Sequence, residues 1–163
     1  MIAEACPSGY REMLLFAAGT GFRIEDLCEA GNYQYDRDGG TLCLHEKKTD
    51  KWRDVPVPQW LREDFAAFDG RHEYRSKLFE SDGRRITRQT AWRWIRRAFR
   101  EYGGSTENGG ISPHSLRKCY AVQKRLEGHS LAEVSTDLNH NSKSTTIPYF
   151  YADQIDAAED LLP

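Results

Sequence analysis

The stretch around residues 84–102 leaves the chain little freedom in how it folds. Ala91, Ile95, Ala98, Phe99 and Tyr102 recur at intervals of three and four, which places them along one side of a helix. Arg84, Arg85, Arg88, Arg93, Arg96, Arg97 and Arg100 crowd the same stretch and fall largely off that side. Thr87 stands where it can cap the helix start. Such a helix must bury its stripe against other elements and turn its arginines to water or to a polyanion. Net charge is −2, so composition alone does not mark a DNA-coating protein. A concentrated basic face can still bind a polyanion on a near-neutral molecule. Arg88, Arg93, Arg96 and Arg97 are therefore candidate contacts to a nucleic-acid groove or backbone, with a solvated helix face as the plainer reading. Trp92 and Trp94 read as core.

Other segments are helical too. Met13, Leu14, Phe16, Ala17 and Ala18 supply the apolar side of a first helix, with Ser8 as its expected cap. Gly19-Thr20-Gly21 breaks it, and a second helix follows over about residues 23–30. Pro58 suits the first turn of a helix carrying Trp60, Leu61, Phe65 and Phe68. Residues 103–110 are glycine-rich and polar, a flexible loop. Ser112-Pro113 starts a helix whose core face is Leu116, Cys119, Tyr120 and Leu126, and Gly128 ends it. Ser130 caps a helix reaching about Leu138, a short helical piece holds Tyr149, and residues 155–162 suggest a last amphipathic helix. Three extended segments, 32–36, 41–46 and 53–57, are joined by the Asp38-Gly39-Gly40 turn and by a polar connection over 47–52. They predict a small three-stranded antiparallel sheet. The class is α+β, mainly α. With 163 residues, no internal repeat and no linker, the expectation is one domain over 1–163.

Several function classes drop out. No run of about 18 apolar residues is present to span a membrane. The N-terminus lacks the pattern of a secretory signal, so a cytoplasmic location is expected. Cys6, Cys28, Cys43 and Cys119 are scattered, without a Cys-x-x-Cys or a matching pair of histidines. They read as reduced thiols in core or surface positions, not as a zinc site.

Two motifs near the C-terminus carry chemistry. The first is Pro113-His114-Ser115-Leu116-Arg117, and the second runs from Asn139-His140 through Thr145-Thr146-Ile147-Pro148-Tyr149. His114 and Arg117 lie one turn apart and share a helix face. The helix start at Ser112 turns free N–H groups toward any anion. Cleaving a phosphodiester without a metal requires a nucleophile, charge stabilisation for the non-bridging oxygens, an acid for the leaving oxygen, and fixed geometry. Arginine suits the oxygens because its planar fork makes two parallel bonds and keeps its charge. Taken alone, His-x-x-Arg is a common surface pair.

Together with upstream segments, these motifs resemble the active site of the tyrosine recombinases, the phage-integrase family. Thr20-Gly21-Phe22-Arg23-Ile24-Glu25-Asp26-Leu27 is similar to the family's first arginine motif, and Cys28-Glu29 extends the likeness toward phage integrases. The resemblance implies that Arg23 contacts the scissile phosphate and that Asp26 orients the cluster. Lys48-Thr49-Asp50-Lys51-Trp52-Arg53-Asp54-Val55-Pro56 resembles the family's β-hairpin lysine segment, whose register selects Lys48 over Lys47 and Lys51. A lysine on a hairpin tip can reach the leaving 5′ oxygen. His140 matches the histidine of the family's Leu-Gly-His segment, with Asn139 in place of the glycine. Asparagine tolerates a left-handed backbone, so that turn can survive. Tyr149 stands at the nucleophile spacing, Tyr151 is its competitor, and Pro148 before it is a departure.

The likeness covers nearly the whole chain from about Tyr10. It implies strand cleavage by Tyr149 and a 3′-phosphotyrosine, with Arg23, Arg117 and His140 on phosphoryl oxygens, Lys48 on the leaving oxygen and His114 supporting proton transfer. Neither ATP nor a metal is required, so no cofactor is expected. The implied partner is double-stranded DNA at an attachment site. The implied assembly is a homo-tetramer on DNA, each tail (here residues 153–162) docked on a neighbour, with the isolated domain monomeric. No counterpart of the family's N-terminal DNA-clamping domain is recognisable, so the chain reads as a catalytic domain by itself. The rivals are a type IB topoisomerase, which shares the chemistry but religates the same strand, and a non-catalytic DNA-binding module.

Overall fold

The computed structural model describes residues 5–71, 75–101, 111–140 and 142–152. The first helix, α1 (Tyr10–Thr20), is not capped by Ser8. Gly9 takes the cap position at φ 87°, and its N–H donates to the Glu12 carboxylate at 2.5 Å. The chain is pressed there against the Glu80 backbone, where any Cβ on residue 9 would collide with the carbonyl. Gly21, at φ 67°, ends α1 in a left-handed turn. Arg23 then caps α2 (Ile24–Glu29) from an extended backbone.

Only part of the first predicted strand is extended. Residues Asn32–Gln34 form a 3-10 turn, and the strand β1 is Tyr35–Asp36. The Gln34 side chain causes this curl: its oxygen accepts from the Gly31 N–H at 2.8 Å and its amide donates to the Cys43 carbonyl at 3.1 Å. Strand β2 (Thr41–Glu46) pairs antiparallel with β1 and with β3 (Lys51–Pro56). The β2–β3 register runs from Thr41 opposite Pro56 to Glu46 opposite Lys51, so Lys51 and Trp52 belong to the strand and not to the connection. Asp50, at φ 53°, closes the tip.

Helix α3 (Gln59–Arg71) buries Leu61, Phe65 and Phe68 and leaves Trp60 half exposed. A hairpin of two-residue strands, β4 (Glu80–Ser81) and β5 (Arg84–Arg85), precedes α4 (Arg88–Glu101). The Thr87 hydroxyl accepts from the Thr90 N–H at 3.3 Å at the α4 start. Ala91, Ile95 and Ala98 are fully buried and Phe99 half-buried, while Trp92 is exposed and Trp94 lies at the core margin. Tyr102, the loop 103–110 and the last helix over 155–162 lie outside the described residues.

The C-terminal part is α5 (Pro113–Leu126), α6 (Leu131–Asp137) and α7 (Lys143–Phe150). Ser130 caps α6 with its side chain, accepting from Glu133 N–H at 3.3 Å. The expected core face of α5 holds in part: Tyr120 is buried and Leu116 packs against the core, but Cys119 and Leu126 are exposed, and Arg117 and Ala121 are buried instead. Leu126 is the helix's last residue and stays exposed there, and α5 buries a guanidinium, Arg117, one turn before Tyr120. All four cysteines are free.

Two cores result. The larger is centred on Phe16, whose ring meets Phe65 at 4.8 Å, Phe79 at 5.1 Å and Tyr35 at 5.8 Å, all edge-on. Each such buried ring contributes about 1.5–3 kcal/mol. The smaller joins Tyr120, Ala121, Val134, Leu138 and Phe150 from α5, α6 and α7. Helix α1 packs on α5, so the Thr20-Gly21 turn lies where the two cores meet.

Candidate active site

The cleft is built on that seam. A Cβ on Gly21 would stand 2.7 Å from the Tyr120 ring and 3.0 Å from a Leu138 methyl, so only glycine fits this left-handed turn. The Thr20 hydroxyl ties back to the Phe16 carbonyl at 2.5 Å. The turn delivers Arg23 at the start of α2. Arg117, 2% exposed, reaches the turn from α5 and donates to the Gly21 carbonyl, with its other nitrogen on the Leu138 carbonyl. It thereby clasps the turn after α1 to the turn after α6.

Between the arginines lies a residue that the motifs do not announce. Glu46, the last residue of β2, is 0% exposed. Its Oε2 stands 3.0 Å from Arg23 Nη1, accepts from Asn139 Nδ2 at 3.1 Å, and accepts from the Thr49 hydroxyl at 3.2 Å. Its Oε1 stands 3.3 Å from Arg53 Nη1 and 3.4 Å from Arg117 Nη1. Burial alone would raise this carboxyl's pKa, but Arg53, Arg117, Asn139 and Arg23 together hold it below the usual range. The Arg23 and Arg53 contacts are ion pairs without hydrogen-bond alignment, and Nη1 of each arginine has no hydrogen-bond partner among the described residues. Arg53 is buried across the Phe22 ring at 4.0 Å and donates to the Thr20 carbonyl at 2.6 Å. Burial, with Arg23 and Arg53 nearby, pushes Arg117 down to about 10, so it keeps its charge at neutral pH.

Asp26 does not pair with Arg23 by a hydrogen bond. Its Oδ1 accepts from the Lys47 backbone N–H at 3.2 Å, which anchors the start of the hairpin tip. Burial raises its pKa, and Oδ2 has no hydrogen-bond partner among the described residues. Lys48, next along that tip, is exposed and lines the cleft beside Arg23, His114 and Arg117.

Two histidines face the same space. His114, in the first turn of α5, is held below its ordinary value by burial, then by Lys48, Arg117 and Arg23. His140 is pushed down to about 4 by burial and then by Arg117 and Arg23, so it is neutral near pH 7. Its Nδ1 lies 2.8 Å from the hydroxyl of the buried Thr146. Asn139, at φ 49°, makes the turn that sets His140 in place.

The Tyr149 ring meets the His140 ring edge-on at 5.4 Å, and Tyr149 lines the cleft with Arg23, Lys48, His114, Arg117 and His140. Tyr151 faces elsewhere, against Phe150 and Arg125. Pro148 sits inside α7 and has no N–H to offer the Ser144 carbonyl.

The arginines of α4 divide. Arg88 lines the cleft's outer edge, 3.5 Å from Glu25. Arg93 points to solvent, Arg96 lies over the Trp92 ring at 4.8 Å, and Arg97 pairs with Glu101 at 2.8 Å and covers Trp94 at 4.9 Å. Among the described residues, no group of three or more His, Cys, Asp or Glu gathers as a metal site, and no helix is long and apolar enough to cross a membrane.

Sequence reasoning missed Glu46 and Arg53, although the strand pattern carried a signal. Leu42, Leu44 and Glu46 share the inward face of β2, and Arg53 and Val55 that of β3, so a charged residue on each falls in a core register.

Known proteins are similar to this chain. Tyrosine recombinase XerA of Thermococcus kodakarensis is 28% identical over 142 residues, 85% of this chain and 49% of the relative. Tyrosine recombinase XerD of Pseudomonas putida is 31% identical over 158 residues, 91% of this chain and 51% of the relative. The chain thus spans about half the length of these relatives. The XerA recombinase crystal structure superposes with a TM-score of 0.79 at 21% identity, over 99% of this chain and 60% of that one. A lambda integrase dimer bound to a COC′ core site superposes at 0.75 and 21% identity, over 91% of this chain and 44% of that one. Both share the fold. The sequence profile of the phage integrase family matches residues 2–155, and the chain belongs to that family.

Proposed function

We propose that residues 1–163 form the catalytic unit of a site-specific DNA recombinase that cuts and rejoins strands through a 3′-phosphotyrosine. The observation that carries this reading is the convergence of Arg23, Lys48, His114, Arg117, His140 and Tyr149 on one cleft. Tyr149 Oη attacks the scissile phosphorus as the bond to the 5′ oxygen breaks. The leaving oxygen takes a proton from Lys48 Nζ, and the phenol's proton passes toward His114. Arg23 and Arg117 bear the charge gathering on the non-bridging oxygens. Neutral His140, with Thr146 donating to Nδ1, carries its proton on Nε2 and offers it to a phosphoryl oxygen. The covalent bond conserves the phosphodiester's energy, so a second strand's 5′ hydroxyl reverses the step without ATP or a metal.

Double-stranded DNA is then the partner, and cleavage on two paired sites calls for a homo-tetramer on DNA, with the free chain monomeric. Work on chromosomal or phage DNA would call for a cytoplasmic location. The XerD and XerA relatives and the DNA-bound fold neighbours support this reading. Its test is a pool of nicked suicide duplexes with randomised cores. The chain should trap a subset covalently, and sequencing the trapped DNA should return a preferred core. Tyr149→Phe should abolish the adduct and keep binding, while Tyr151→Phe should keep both. An adduct that survives Tyr149→Phe and vanishes in Tyr151→Phe would overturn the assignment, and no adduct from any core would overturn the reading.

A further inference from the structure

The cleft's chemistry is spread over five separately folded pieces: the α2 start, the hairpin tip, β3, α5 and the turn before His140. One side chain touches all five. Glu46 meets Arg23, Thr49, Arg53, Arg117 and Asn139 within 3.4 Å. We propose that Glu46 is a positioning residue for strand cleavage, whose buried carboxylate sets Arg23 and Arg117 in register with each other for the two non-bridging oxygens. The inference rests on the recombinase reading above.

Three features carry it. First, the charges leave a surplus: three guanidinium groups face one carboxylate, so the cluster retains net positive charge for a phosphate whose negative charge grows in the transition state. Second, the carboxylate uses different oxygens for the two arginines, Oε2 for Arg23 and Oε1 for Arg117. Its plane therefore fixes their spacing. Without it, the like-charged forks of Arg23, Arg53 and Arg117 would repel one another in a buried site. Third, Glu46 is placed by the strand register and held by Asn139, which occupies a left-handed turn and still donates from its side chain. A glycine there would allow the same backbone and supply no donor.

A carboxylate that only neutralises buried charge would be replaceable by any carboxylate that fits. A positioning carboxylate would not. The test uses the core duplex recovered from the random pool. Glu46→Asp keeps the charge and shortens the reach by one methylene. It should slow single-turnover adduct formation by roughly 100-fold, as expected when a charge-stabilising group is displaced by about 1 Å. Shifting a fully buried carboxylate with five partners should lower the melting temperature, so rates are compared well below it, where DNA affinity should stay near that of the parent chain. Glu46→Gln, which keeps the shape and loses the charge, should be slowed at least as much. A methylphosphonate at the scissile position removes one of the charged oxygens, so the defect of Glu46→Asp should shrink on it.

Parent-like cleavage by Glu46→Asp would reduce Glu46 to charge balance and overturn the proposal. So would a defect of equal size on phosphate and methylphosphonate, because it would not act through the arginines. If the parent chain traps no duplex at all, the recombinase reading falls instead. The arginine side-chain NMR signals then judge Glu46 alone: Arg23 and Arg117 Nε–H resonances should be sharp in the parent and broadened in Glu46→Asp, and sharp signals in both would overturn the positioning claim.

Discussion

Asn139 donates from Nδ2 to Glu46 Oε2 at 3.1 Å, joining positions 93 residues apart in sequence. The same residue holds φ at 49°, a conformation that costs other non-glycine residues about 1–2 kcal/mol. Asn139→Gly keeps the turn and loses a bond to a buried carboxylate, an expected loss of about 1.5–3 kcal/mol. Asn139→Ala loses the bond and strains the turn as well, and should unfold earlier still. Thermal unfolding of the three proteins should rank parent, glycine, alanine. Equal stability of the glycine and alanine variants would contradict this account of the turn.

Gly21 is subject to both restrictions, a left-handed backbone and a full surround. Gly21→Ala brings a methyl within 2.7 Å of the Tyr120 ring at φ 67°. The cost should exceed about 2 kcal/mol, the sum of backbone strain and overpacking. Denaturant titration reads it directly, and a loss below about 0.5 kcal/mol would mean the turn re-forms elsewhere.

The histidines make a prediction about pH. His140 has a folded value of about 4, below the ordinary value of 6.5, so between these limits the unfolded chain binds a proton that the folded chain does not. The stability it contributes is complete above about pH 6.5 and is lost as pH falls toward 4. NMR of the His140 ring should show no titration between pH 8 and 5.5. For His114, burial comes first and Lys48 second among the causes of its lowered value, so Lys48→Ala should raise its midpoint. An unchanged midpoint would place Lys48 farther from His114 in solution than in the structure.

Thr146 is buried and bonded to His140 Nδ1 at 2.8 Å. Thr146→Val keeps the shape and removes the hydroxyl that, on the proposed reading, holds His140 in its Nε2–H tautomer. Adduct formation should slow by about tenfold, the worth of one hydrogen bond of about 1–1.5 kcal/mol. Binding of the same duplex should hold. A rate equal to the parent's would show that the tautomer is fixed by something else.

The helices were legible because their periodicity is long: the α4 stripe of Ala91, Ile95 and Ala98 repeats over enough turns to be unambiguous. The β4–β5 hairpin was not, since strands of two residues have no period to read. Ser8 was a sound cap by residue type, yet contact with the distant Glu80 backbone moved the helix start to Gly9. In the cleft, Arg23, His114 and Arg117 stood out through local motifs. Glu46 and Arg53 did not, because their meaning depends on the register of two strands and on the face each turns inward. The Asn139 backbone was foreseeable from its residue type, whereas its bond to Glu46 depends on how β2 packs beside the turn.

Arg117 gives some of its donors to the carbonyls of Gly21 and Leu138 and so holds two turns together within the protein itself. Lys48 makes no hydrogen bond or ion pair among the described residues. These two positions therefore age differently under mutation. A lineage that abandoned strand exchange would still be selected to keep the arginine, because its loss unseats the fold, and would be free to lose the lysine. On the recombinase reading proposed above, the exposed lysine on the hairpin tip is then the better witness to activity in a genome search than the arginine at the centre of the domain.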